Sequence, residues 1–187
     1  MDRMFILIYA NDDHFVFEKN DTLFKLQSSF ESFRDNEFAR KLKHHNRFVF
    51  WKRANRNPIK SHLVQLAKEY NPEYIGTDVT LLTSVKKGMD IEKLGYKIDP
   101  NHFIKFVNYL KESIDILSRE KIAHCDLRWP NIVVDCTELE KNQKLITTSL
   151  PIIIDFGQAR ISAKAYELNN RGFVKLQKTL LDNVGPT

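Results

Sequence analysis

Ile122–Asp135 reads IAHCDLRWPNIVVD, and Leu150–Arg160 reads LPIIIDFGQAR. Each joins chemistry-bearing residues to a short apolar run of strand length. In the first, His124, Asp126, Arg128 and Asn131 lead into "IVV"; in the second, "PIII" leads into Asp155-Phe156-Gly157. Taken singly, each has an ordinary reading. Asp126 can cap a turn, Asn131 can close it, and a strand can end in a glycine turn. The ordinary reading accounts for each residue but not for the two stretches occurring in this order.

What surrounds them sharpens the pattern. Asp99 is placed to N-cap a helix with Pro100 at its first position, and Phe103, Phe106, Val107, Leu110, Ile114 and Leu117 form its apolar stripe. This helix delivers the chain into the first stretch. The polar "DCTELEKNQKLITTS" between the two reads as a hairpin loop, and "ELNNRGFVKLQKTLLDNV" as a final amphipathic helix. Upstream, "FILIYA" and "HFVFEK" read as strands across the turn "NDD", and "YIGTDVTLLTSV" as another, punctuated by "KKGMD". "TLFKLQSSFESFRDNEFARKLKHH" has mostly helical spacing and reads as one or two helices. "RFVFWKRA" reads as a strand and "NPIKSHLVQLAKEY" as a helix opened by Pro58, with Leu63, Leu66 and Ala67 on one face. The expected class is α+β, in one domain of 187 residues.

The order helix, His124-x-Asp126-x-x-x-x-Asn131, strand, hairpin, strand, Asp155-Phe156-Gly157 resembles the core of protein kinase-like phosphotransferases. Their catalytic loop reads H-R-D-x-x-x-x-N and their metal motif D-F-G. The likeness spans Asp99 to Arg160, about a third of the chain. "DLRWPN" also resembles the kinase-like domains of some Crinkler-type effectors and related fungal and oomycete proteins. The resemblance implies a compact two-lobed kinase-like fold, with a reduced N-terminal lobe near residues 1–88 and a minimal C-terminal lobe near 89–187. It implies ATP and Mg2+, and transfer of the γ-phosphate to a hydroxyl acceptor, Ser or Thr of a protein. Such transfer needs positioning and charge neutralisation more than covalent help. Asp126 is then the catalytic carboxylate that orients the hydroxyl and accepts its proton. Arg128 is the cation near the transferred phosphate, with the fixed donor fork of a guanidinium. Asn131 and Asp155 are the oxygen ligands for magnesium. His124 is a loop scaffold, Gly157 permits the tight backbone after Asp155, and Trp129 packs the loop on the core.

The chain also departs from that pattern. Its first glycine is Gly76, so no glycine-rich loop precedes a nucleotide-anchoring lysine. Lys52 in "FVFWKRA" is the candidate for that lysine, with Glu69 as its helix partner and Lys60 as the next choice. "DIEKLGYKI" is the candidate hinge, where the family binds adenine through backbone groups. Cys125 replaces the usual loop Arg, which removes a partner for a phosphorylated activation loop. Only thirty residues follow Gly157, and A-P-E is absent. RIO-type kinases and small-molecule phosphotransferases also use D-x-x-x-x-N, so the acceptor class stays open to non-proteins.

Two rival functions follow. One is a pseudokinase or effector-type interaction module, with a host protein as partner. The other is nucleic-acid binding by residues 41–60, where Lys41, Lys43, Arg47, Lys52, Arg53, Arg56 and Lys60 surround Phe48, Phe50 and Trp51. A net charge of +5 suits a polyanionic partner or simply a soluble surface. Two cysteines, Cys125 and Cys136, build neither a zinc site nor a disulfide framework, which favours a reducing compartment. The apolar run near the N-terminus is short and follows an acid, unlike a signal peptide, and no stretch is long enough for a bilayer. The expected location is cytoplasm or nucleus, within a host cell if the effector likeness holds.

Overall fold

The computed structural model describes residues 4–11, 14–20, 22–27, 32–50, 52–53, 57–74, 78–82, 89–90, 97–134 and 146–180. In chain order the elements begin with β1 (Ile6–Ala10), β2 (His14–Lys19), β3 (Thr22–Gln27), α1 (Ser32–Leu42), β4 (Lys52–Arg53), α2 (Asn57–Tyr70) and β5 (Asp78–Leu82). There follow β6 (Met89–Asp90), β7 (Lys97–Ile98), α3 (Phe103–Arg119), β8 (Ile122–Ala123) and β9 (Ile132–Val134). The chain ends with β10 (Ile146–Thr147), β11 (Ile152–Ile153), β12 (Arg160–Ile161) and α4 (Ala165–Leu180). The fold is mixed α+β, as expected.

The first five strands form one antiparallel sheet in the order β1-β2-β3-β5-β4. Here the reading of "TLFKLQ" as helix is corrected: it is β3, an inner strand paired with both β2 and β5. Phe24, Lys25 and Leu26 are all buried, which a strand covered on both faces explains and an amphipathic helix does not. Helical spacing governs only from α1 onward. Phe15, Phe17, Phe24 and Leu26 pack with Leu63 and Ala67 of α2 and with Tyr74, whose hydroxyl donates to the Leu26 carbonyl at 3.0 Å. The expected helix at "NPIKSHLVQLAKEY" is therefore present, and its apolar face closes one side of the sheet.

A second core gathers α3, α4, β8, β9 and β11, together with Phe38 and Leu42 from α1. The apolar stripe of α3 is as expected, with Phe106, Leu110 and Leu117 fully buried. Its start is not. Asp99 and Pro100 lie before the helix, which opens at Phe103 after His102. The Asp99 carboxylate instead accepts the Asn101 N–H at 2.8 Å, and its carbonyl accepts the His102 N–H at 2.9 Å. Asp99 thus closes a turn rather than capping the helix. "RFVFWKRA" is only partly strand: Phe48 makes a single parallel bridge to Ile153, and β4 holds two residues. Phe48 and Phe50 are used for packing against Phe156 instead of extending a ladder. The final helix is present and starts slightly early, burying Ala165, Asn169, Phe173, Leu176 and Leu180.

Short ladders tie these parts together: β11-β9-β6, β12 with β8, and β10 parallel to β7. Thr147, expected in a loop, is buried in that last pair. Residues 91–96 of the candidate hinge, 86–88 of "KKGMD", 135–145 of the candidate hairpin, and Trp51, Arg56 and Gly76 lie outside the described residues. Among the described residues no helix is long and apolar enough to cross a membrane.

Candidate functional site

The register of two short strands assembles the site. Ile153 pairs with Ile132 and Ile152 with Val133, antiparallel. Extending that register by one residue sets Asn131 opposite Ile154, and the Ile154 N–H donates to the Asn131 carbonyl at 2.9 Å. The residue before β9 and the residue after Ile154 are thereby neighbours. Two motifs separated by more than twenty residues meet because their adjoining strands pair.

Within the loop, a one-turn 3-10 helix over Trp129–Asn131 carries Pro130 and is entered from an extended Arg128. This turn brings Asn131 back towards Asp126. The Asn131 Nδ2 donates to the Asp126 carbonyl at 2.9 Å and to Asp126 Oδ2 at 2.8 Å. Arg128 Nε lies 3.1 Å from Asp126 Oδ1, with the Arg128 side chain 61% exposed. Each carboxylate oxygen of Asp126 therefore has one donor, and the carboxylate is held without being sealed from solvent. The amide orientation leaves Asn131 Oδ1 as the oxygen turned away from Asp126.

Asp155 occupies the left-handed region at φ 62°, and its Oδ1 accepts the Gly157 N–H at 3.2 Å. Such backbone is uncommon for a residue with a Cβ and persists where the surroundings over-determine it. Here the next residue supplies the constraint. Phe156 is fully buried, with ring centres 4.7 Å from Phe50, 4.9 Å from His124 and about 6 Å from Phe38 and Phe48.

His124 is fully buried between the two motifs. Its Nδ1 accepts the Asp126 N–H at 3.3 Å, so the ring proton sits on Nε2, 3.0 Å from the Ile154 carbonyl. One neutral imidazole thus ties the residue before Asp155 to the backbone of Asp126, the scaffold role the resemblance implies. Burial pushes its pKa below the ordinary histidine value, against the opposing pull of the Ile154 carbonyl and of the Asp155 and Asp126 carboxylates. With the folded pKa below the unfolded one, the unfolded chain binds more protons at acidic pH. Stability is then expected to fall as pH drops below about 6.5, by up to about 1.4 kcal/mol per pH unit. Denaturant midpoints in chelator-containing buffer, compared between the natural chain and His124→Gln, check this. The variant should lose part of that acid-side slope, and an unchanged slope would contradict the assignment.

The structure brings Asp126, Arg128, Asn131 and Asp155 together. It does not bring Glu69 to them: Glu69 is exposed on the last turn of α2, whose buried face covers the far side of the sheet. Lys52 lies on β4, the edge strand; among the described residues Lys25 is a lysine beside Asp155. Lys25 is 4% exposed, with its Nζ 3.9 Å from Asp155 Oδ1. Alternation along β3 explains its direction. Phe24 and Leu26 enter the core shared with α2, so Lys25 points to the opposite face, towards the loop. A lysine between apolar residues in "LFKLQ" was the available signal, and it was hidden by reading the segment as helix.

Asn131 and Asp155 are hard oxygen donors, one neutral and one anionic, and no group of three or more His, Cys, Asp or Glu stands together among the described residues. A pair of protein oxygens fits magnesium, which keeps waters and phosphate oxygens in its shell. Within the basic aromatic stretch Lys41 and Lys43 are exposed, while Arg47 and Phe48 are engaged in packing. Arg47 lies 3.8 Å over the Tyr109 ring and bonds to the Tyr109 carbonyl, Ser113 and Glu112, while Phe48 is buried. No protein-family model matches the chain, and no curated protein matches its sequence.

Proposed function

We propose that this chain is a magnesium-dependent phosphotransferase of the protein kinase-like class, moving the γ-phosphate of ATP to a hydroxyl, with Ser or Thr of a protein as acceptor class. The observation that carries the reading is Lys25 on the third strand standing beside Asp155. In that class the phosphate-binding lysine is on the third strand, and the metals are held by the D-F-G Asp and the catalytic-loop Asn. The five-stranded sheet with α2 then corresponds to the N-terminal lobe and the α3–α4 core to a minimal C-terminal lobe.

In this reading Asp126 accepts the proton of the acceptor hydroxyl as its oxygen bonds to the γ-phosphorus and the bond to the β–γ bridging oxygen breaks, releasing ADP. Asn131 and Arg128 keep the Asp126 carboxylate aimed. Lys25 binds phosphate oxygens, and Asn131 Oδ1 and Asp155 would hold the metal. Magnesium, when bound, neutralises phosphate charge. The Arg128 side chain is 61% exposed, and in this reading its remaining donors bind the transferred phosphate.

One observation favours a non-catalytic binding module instead. The segment between β1 and β2, Asn11-Asp12-Asp13, contains no glycine, the residue type with which that class covers the phosphates. Calorimetric titration with ATP, with and without magnesium, on the natural chain and on Asp155→Ala separates the readings. Binding that needs magnesium and disappears in the variant is the expected result. No binding under any condition would favour the scaffold.

A further inference from the structure

The chain turns back at once after Asp155-Phe156-Gly157. Three residues past Gly157 it enters β12, where Arg160 pairs with Ala123 and Ile161 with Ile122 of β8. The Ser162 N–H then donates to the Lys121 carbonyl at 2.8 Å, and α4 begins at Ala165. Protein kinases carry their activation loop after D-F-G. Here the interval is Gln158–Lys164, and the β8–β12 ladder takes the place beside the Asp126 loop.

The ladder is charged with one sign. Over residues 119–128 and 155–166 the cations are Arg119, Lys121, Arg128, Arg160 and Lys164, and the one carboxylate besides Asp126 and Asp155 is that of Glu120. Glu167, just beyond, is paired with Arg171 at 2.6 Å. Lys121, Arg160 and Lys164 are exposed, and among the described residues none of the three is in an ion pair. Lys121 stands across from Ser162, so Arg160 and Lys164 are each two residues along the chain from its partner. A lone surface cation binds little, but several of one sign within a Debye length of about 8–10 Å add their fields and select acidic partners.

The ladder also limits the distance to Asp126. Paired Cα atoms of antiparallel strands are about 5 Å apart, and the three residues from Ala123 to Asp126 span at most about 11 Å. The Cα of Arg160 is thus no more than about 16 Å from that of Asp126, and its side chain covers part of the gap. In an extended peptide rising about 3.4 Å per residue, the group meeting Arg160 is about two to four residues from the one at Asp126.

We propose that the β8–β12 ladder is the acceptor-recognition surface, and that it takes a peptide whose hydroxyl is flanked by carboxylate side chains. Placing a Ser or Thr hydroxyl at Asp126 rests on the phosphotransfer reading; binding of the acidic segment does not. The experiment uses the full chain, natural and with Arg160→Glu plus Lys164→Glu. It pairs each with Ser peptides of equal length bearing Asp, Asn or Lys at the second to fourth positions on either side. Both substituted side chains are exposed, and Arg160→Gln with Lys164→Gln serves as a milder pair. Lys121 is left in place because its backbone is left-handed, at φ 56°. Peptide affinity is read by fluorescence anisotropy, and transfer by kcat/KM at saturating magnesium-ATP. The natural chain should favour the Asp peptide over the Lys peptide by about 10- to 100-fold in both. The charge-reversed chain should invert that order with KM for ATP unchanged, and the glutamine pair should flatten it. A merely structural role for the two residues would lower every peptide alike. Equal affinity for the three peptides in the natural chain, or an unaltered order in the charge-reversed chain, would overturn the proposal. Equal binding of an RNA oligonucleotide of the same net charge would also overturn it, marking a general polyanion surface. Charge-dependent peptide binding without phosphate transfer would uphold the ladder and strike the phosphotransfer reading alone.

Discussion

Asp126→Asn should bind magnesium-ATP as the natural chain does and transfer phosphate about 10²- to 10⁴-fold more slowly. The choice of asparagine matters. Both oxygens of Asp126 accept hydrogen bonds, from Arg128 and from the largely buried Asn131. Truncation to alanine would leave donors without acceptors, at about 1–3 kcal/mol for the buried one, and would confound lost chemistry with lost stability. An amide keeps one acceptor oxygen and the shape while removing the proton-accepting carboxylate. Asp155 and Lys25, which would bind the nucleotide, lie on other elements and are untouched. Single-turnover transfer with titration of nucleotide affinity separates the two effects. Full transfer by Asp126→Asn would remove Asp126 from the chemistry and the proposed mechanism with it.

Lys25→Met should weaken magnesium-ATP binding by about 10- to 100-fold, the range of a charged hydrogen bond to phosphate. Methionine matches the length and flexibility of the lysine stem, and the site is buried, so the sheet should stay folded. Removing one partner of an ion pair is costly when the other charge stays buried, but the Asp155 side chain is 29% exposed and keeps contact with water. Lys52→Met should have the smaller effect on affinity. This comparison decides between the lysine singled out by its place before a helix and the one singled out by its proximity to Asp155. The opposite ranking, with Lys52→Met the more damaging, would return the nucleotide role to β4.

The arrangement of the candidate loop was legible because it is local. Asp126 and Asn131 are five residues apart, and a Pro-containing turn closes that distance without help from distant chain. Asp155 was legible for a similar reason, since an apolar run before a D-F-G triplet implies a strand that ends there. Trp129 packing on the core also followed from a large aromatic in a short polar loop, and it is buried.

What the sequence by itself determined is the α+β class, most of the helices, and the placing of Asp126, Arg128 and Asn131 in one turn and of Asp155 just past a strand. Tertiary structure alone placed Lys25 beside Asp155. Along "TLFKLQ" helical and strand spacings coincide over so few residues that local preference does not choose; pairing with β2 and β5 does, and it turns Lys25 towards Asp155. The same holds for Asn169, forty-five residues from His124, an ordinary polar position on an amphipathic helix until α4 packs against the loop. Spacing along the chain sets which groups a turn can bring together. Burial and charge pairing between distant segments depend on register and on which face is covered, and those exist only once the strands and helices have met.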